Sequence, residues 1–237
     1  MKSRIVPWIL LVVAAPAPSA AAPLNPAEEA RVLAQARQRW QAFTSKYRGD
    51  FSRRSNVIRE YDPDTGKLKH TKEIRADHFN YLFKPPQTHV VSCKVDGKKE
   101  DVDECKPRGK RKNFHHVFGK NGARHYVVKI VAQPTIFGFP CHKIRVTPKK
   151  RTDYHFKGHL YLHTKDLRLV MMEGTVGKLP FPLKEFWIKM RFKEMPGHPG
   201  VGVVSSGSLK IRVKVPLFAH LLMKGTFRAW GHRLIRR

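Results

Sequence analysis

Acidic side chains are scarce in this chain: 18 Asp and Glu stand against 47 Lys and Arg in 237 residues, a formal charge of +29. Such an imbalance points to a polyanionic neighbour, whether nucleic acid, an anionic lipid surface or lipopolysaccharide. Cysteine is scarce too, and none of the three has zinc-finger spacing, so no metal and no other cofactor is expected. Catalytic signatures are missing: there is no Gly-x-Ser-x-Gly, Ser-x-x-Lys, His-Glu-x-x-His or phosphate loop. The few carboxylates lie mostly in turns or among lysines, no nucleophile stands beside a base and an orienting acid, and the chain is not expected to be an enzyme. Long apolar runs are absent beyond the first residues, which argues against a spanning helix. Aromatic and β-branched residues are spread along the whole length, and 41% of the residues are hydrophobic. That excludes a disordered tail or a collagen-like repeat.

The first stretch narrows the setting. Lys2 and Arg4 precede the apolar run Ile5 to Ala15, and the small-residue tract Pro16 to Ala22 follows, in the order of a secretory signal peptide. We read residues 1–22 as removed and residues 23–237 as one domain. Export demotes nucleic acid as the partner and makes the periplasm, with its anionic lipid head groups and envelope polymers, the expected location. An oxidising compartment suits a disulfide. Cys93 and Cys105 flank a loop that a bridge would close, while pairings with Cys141 stay open because three cysteines allow three single bridges.

One helix is legible. Asn25 is placed to cap it, Pro26 suits its first turn, and Glu28 completes a capping box; Val32 or Leu33, Ala36, Trp40, Phe43 and Tyr47 then form one apolar stripe. From Phe51 onward the period becomes two, as in Leu209, Ile211, Val213 and Val215 alternating with Lys210, Arg212 and Lys214, or Phe186, Ile188, Met190 and Phe192 alternating with Trp187, Lys189, Arg191 and Lys193. This is the pattern of antiparallel strands with one wet face. Turn signals divide the chain into about eleven strands, near 51–60, 67–84, 88–95, 114–118, 124–133, 141–148, 154–163, 167–176, 184–195, 202–215 and 221–230. The expected fold is mainly β, a single curved antiparallel sheet with an amphipathic helix at its start.

The thirteen histidines suggest no metal site. His115 and His116 are adjacent and point to opposite faces of a strand, and His155, His159 and His163 share a face at steps of about 13 Å, too far for one ion.

The run Ile74 to Pro86, with Arg75, Phe79, Asn80 and Tyr81, followed by Val90-Val91-Ser92 and the Asp96-Gly97-Lys98 turn, resembles the outer-membrane lipoprotein carrier (LolA-like) family. Val146 to Lys150 and the hairpin from Tyr154 to Phe192 are similar to later parts of that pattern. The resemblance implies an unclosed β-barrel whose lidded cavity takes acyl chains, with Arg75 as the lid latch and Phe79 as a contact for an inner-membrane release complex. It departs from the family after Gly97, where a charged stretch replaces an apolar strand.

Together these readings give the expectation of a periplasmic carrier that binds lipid or lipidated protein without covalent chemistry, with an anionic membrane surface and an inner-membrane release complex or an outer-membrane acceptor as candidate partners. The expected cavity wall is Phe79, Tyr81, Phe83, Phe156, Phe186, Met190 and Phe192. Docking on anionic head groups falls to Lys106, Arg108, Lys110, Arg111 and Lys112, and to Lys149, Lys150 and Arg151. The alternatives are a periplasmic regulatory module of similar fold and a cationic protein that binds envelope polymer such as lipopolysaccharide.

Overall fold

The computed structural model describes residues 24–82, 84–106, 116–153, 155–215 and 219–237. The leader read at 1–22 lies outside them, as do Phe83, Arg108, Lys110, Arg111 and Lys112.

Helix α1 (Pro26–Lys46) leads into β1 (Tyr47–Tyr61), β2 (Leu68–Tyr81), β3 (Gln87–Val95) and β4 (Lys98–Glu100). A 3-10 turn (Val102–Cys105) and the one-turn helix α2 (Gly122–His125) precede β5 (Tyr126–Ala132) and β6 (Thr135–Ile136). The chain continues through β7 (Phe139–Pro148), β8 (Phe156–His163), β9 (Leu169–Val176), β10 (Leu183–Met195), β11 (His198–Val215) and β12 (Ala219–Arg236). All pairings are antiparallel, and eleven strands run in the order β4-β3-β2-β1-β12-β11-β10-β9-β8-β7-β5, with β6 added alongside β7. The sheet is unclosed, with β4 and β5 at its two edges.

Helix α1 begins where its sequence says. The Asn25 side chain accepts from the Glu28 amide at 2.9 Å, and Glu28 accepts from the Asn25 amide, so two orphan donors of the first turn are satisfied. Val32, Leu33 and Ala36 are buried against Tyr126, Ile130, Ile144, Val146, Phe156, Leu160 and Leu162, which come from β5, β7 and β8. The helix therefore covers one face of the sheet's short-stranded half. A second, smaller cluster of Cys141, Tyr161, Val170 and Met171 lies on the opposite face, with Ile136 of β6 against it.

Strand parity assigns the remaining side chains. Two cross-strand glycines, Gly158 and Gly174, face each other between β8 and β9. A Cβ on Gly158 would lie 2.1 Å from the Glu173 carbonyl oxygen, and the Phe156 ring lies over both glycines, so no larger residue fits at this crossing.

The predicted strand at 114–118 is not formed in its described part. Val117 and Phe118 sit in a turn and pack their side chains against the core, which accounts for their apolar character. Two short strands were missed because three residues in β4 and two in β6 carry no legible alternation. The Cys93 and Cys105 sulfurs are bonded, with Cα atoms 6.1 Å apart, and Cys141 is buried and free.

Candidate functional site

Five long strands, β2, β1, β12, β11 and β10, make up the half of the sheet beyond the helix-covered core. On the face that carries α1 elsewhere, their registers bring Phe186, Ile188 and Met190 of β10 beside Ile211, Leu209 and Gly207 of β11. The row continues through Met223 and Phe227 of β12 to Ile58 of β1. These apolar side chains are half-buried. Gly207 has a role in the surface: a Cβ there would fall 2.4 Å from the Phe227 ring, so its absence lets that ring lie across the neighbouring strand.

Polar groups occupy one end of the same face. Asp50 accepts a hydrogen bond from the Asn80 amide at 3.1 Å, and the Arg54 guanidinium donates to the Ser52 hydroxyl at 3.3 Å while lying 5.3 Å from the Phe227 ring centre. Burial pushes the Asp50 carboxyl up, against the pull of Asn80, Arg54 and His232. Burial also holds His232 below the ordinary histidine value, despite the Asp50 charge nearby. The apolar row thus ends at a cluster of basic and acidic side chains. Sequence reasoning missed this cluster. Arg54 follows Arg53 in a basic run, and only the register with Ala76 and Ala229 reveals which of the two turns inward.

The sequence-predicted wall does not form one surface. Phe156, Phe186, Met190 and Phe192 share the α1 face, and Phe156 is buried beneath α1 as core rather than open to a ligand. Phe79 and Tyr81 pair across the ladder with Phe51 and Gly49 and project from the other face, where Phe79 packs against Phe51 at 5.1 Å and His89 at 5.5 Å. Arg75 is exposed on that outer face as well, opposite Ser55 and Ser92, so it points away from the helix it was expected to latch. The misassignment has a simple source: parity within one strand groups Arg75, Phe79 and Tyr81 correctly, but nothing in a single strand says which face α1 will cover.

Of the docking residues, Lys106 pairs with Asp103 of its own 3-10 turn, and Lys149, Lys150 and Arg151 are exposed in the loop between β7 and β8. Among the described residues no group of three His, Cys, Asp or Glu side chains is placed to hold a metal ion, and no helix is long and apolar enough to cross a membrane. Among the described residues, one hollow of about 310 Å³ lies between α1 and the β8–β9 loop, at Arg39 and Leu167, and one of about 300 Å³ lies on the outer face at Trp187 and Lys210. Among the described residues, the apolar row is a half-buried sheet surface.

No family model and no curated protein matches the chain. Solved structures do match. An outer membrane lipoprotein-sorting protein domain from Vibrio parahaemolyticus shares 10% identity and a TM-score of 0.45, over 89% of this chain and 93% of its own. A DUF1329 family protein from Desulfovibrio piger shares 12% and 0.44, over 86% and 92%. A LolA superfamily protein from Nitrosomonas europaea shares 9% and 0.41, over 87% and 93%. All three TM-scores lie below 0.5, and nothing about this chain's ligand follows from them. What stands is a resemblance: the chain is similar, over most of its length, to LolA superfamily and lipoprotein-sorting domains.

Proposed function

We propose that this protein is a periplasmic carrier that binds the acyl chains of a lipid or lipidated protein non-covalently on the open apolar face of β10, β11, β12 and β1. The observation that carries this reading is the half-buried row from Phe186 and Met190 across Ile211 and Met223 to Ile58, on the α1 side of the sheet but beyond the helix. Each methylene removed from water there contributes about 0.8 kcal/mol, so burying about ten chain carbons matches the roughly 8 kcal/mol of micromolar affinity. The Arg54 and Asp50 cluster at the end of the row supports a polar or charged head group at that position. An export leader, no covalent chemistry and a partner that accepts the cargo all belong to the same proposal.

The test is direct. The mature protein is expected to bind the fluorescent fatty acid cis-parinaric acid, and Phe186→Asn with Met190→Asn is expected to weaken it by about tenfold. Mass spectrometry of an organic extract from protein made in a bacterial envelope is expected to find acyl lipid. An extract without lipid, together with equal probe binding by the double variant, would remove the proposal.

A second reading, a cationic binder of envelope polymer, is favoured by the outer face. There Phe51, Phe79 and Tyr81 cluster beside Arg233, whose guanidinium lies 5.1 Å from the Phe51 ring centre. Polymer binding that survives Phe186→Asn but is lost on Phe79→Ser would select it.

A further inference from the structure

One end of the sheet gathers three neighbouring segments: residues 149–153 after β7, the β9–β10 loop at 177–182 and the last residues of β11. They are tied by backbone hydrogen bonds. The Lys178 amide donates to the Thr152 carbonyl at 3.1 Å, and the Lys214 amide donates to the Pro182 carbonyl at 3.1 Å. Phe181 sits on this end with 76% of its surface exposed, the highest value among the exposed large apolar side chains of the described residues.

The charges in and beside these segments are mostly positive, and Glu185, next to Lys184, is paired with Lys210 and Arg212. Lys149, Lys150 and Arg151 are exposed in the first loop, Lys178 and Lys184 flank Phe181, and Lys214 is exposed on the neighbouring strand. Asp153 is the one carboxylate in the sequence of these stretches. An aromatic ring held in water on an end of the sheet rich in cations contributes nothing to the core. The same composition suits the interface of a bilayer, where the ring enters at head-group depth and long basic side chains reach back to lipid phosphates. Each basic side chain near an anionic leaflet multiplies the affinity about fivefold, and the effect is lost within a Debye length.

We propose that this end of the sheet is a docking surface for an anionic lipid bilayer, with Phe181 entering the interface and the six basic side chains meeting lipid phosphates. Docking there has a geometric consequence for the apolar face. Phe186 lies five residues beyond Phe181, at most about 17 Å along the chain, so the open row begins close to the bilayer surface. The docking surface stands apart from the acyl-binding reading and fails separately from it, since vesicle binding requires no cargo.

Co-sedimentation with vesicles of phosphatidylglycerol and phosphatidylcholine tests it. At low salt the protein is expected to bind these vesicles at least tenfold better than pure phosphatidylcholine, and to release them as salt rises. Phe181→Ser is expected to lower binding about five- to tenfold, and Lys178→Ser with Lys184→Ser about 25-fold, while Lys165→Ser on the β8–β9 loop at the opposite end changes it less than twofold. The three sets of substitutions fall on exposed loop and strand-end side chains, and each is expected to leave cis-parinaric acid binding unchanged. Equal binding to neutral vesicles, or vesicle binding by Phe181→Ser equal to that of the unaltered protein, would overturn the proposal. So would soluble polyphosphate binding that matches vesicle binding in strength and ignores Phe181.

Discussion

At the scale of single residues, the most informative contact is between Glu29 and Ile130. The β5 strand is an edge of the sheet, and the amide of buried Ile130 donates to the Glu29 carboxylate of α1 at 2.8 Å. A helix side chain thus completes the hydrogen bonding of a strand edge and fixes where the helix sits. Glu29→Ala is expected to cost about 1–3 kcal/mol in urea denaturation because it leaves a buried donor unmet, whereas Glu29→Gln retains an accepting oxygen and most of the stability. No sequence pattern announces this pair, since the two residues are far apart and each looks ordinary in its own segment. Asn25, Pro26 and Glu28 were legible for the opposite reason: the capping box is completed within four residues.

Buried histidines set a pH dependence at the same scale. Burial lowers His142, His159 and His232 from the ordinary value of 6.5. As pH falls through that value the unfolded chain takes up protons that the folded chain refuses, so stability falls on acidification. Asp50 acts in the reverse sense. Its carboxyl is raised by burial, so its cost is present above its folded-state value and is relieved as pH falls through it. Denaturation midpoints are therefore expected to decline between pH 7.5 and pH 5, and His142→Asn is expected to flatten that decline. A midpoint that stays level across the same window in the unaltered protein would contradict the assignment.

At the scale of elements, α1 owes its place to the stripe that its sequence displays. Leu33→Ala removes a buried side chain from the interface with β5, β7 and β8 and is expected to cost about 2–5 kcal/mol by chemical denaturation. The strands of β8 through β11 were legible because each is long enough to alternate and is bounded by turns. Their faces were not, because period two says which side chains agree within a strand but not which side the helix takes. That one missing bit of information put Phe79 and Tyr81 in a shared wall with Phe186 and Met190, and Arg75 beside it as a latch, whereas the β1–β2 and β10–β11 registers set the two groups on opposite sides. The disulfide is a second element-scale constraint. It joins β3 to the 3-10 turn across a sequence separation of 12, and replacing both Cys93 and Cys105 by Ala is expected to lower stability by roughly 3 kcal/mol.

At the scale of the whole molecule, two opposing salt effects follow from the same charge. A chain with 47 cationic side chains against 18 carboxylates repels itself when folded, because compaction brings like charges closer than they are in the unfolded chain. Exposed pairs such as Lys189 with Glu173 at 3.8 Å, or Lys210 with Glu185 at 2.8 Å, relieve this locally. Surface pairs of this kind contribute little each, and there are too few carboxylates to neutralise the remainder. Added salt screens the repulsion within a Debye length of about 10 Å at 0.1 M. The melting temperature is therefore expected to rise as sodium chloride goes from 20 to 300 mM, over the same interval in which vesicle binding weakens. A melting temperature that fell with salt would mean that attractive pairs outweigh the repulsion, and the excess of cations would then have to be held by interactions stronger than the surface pairs seen here.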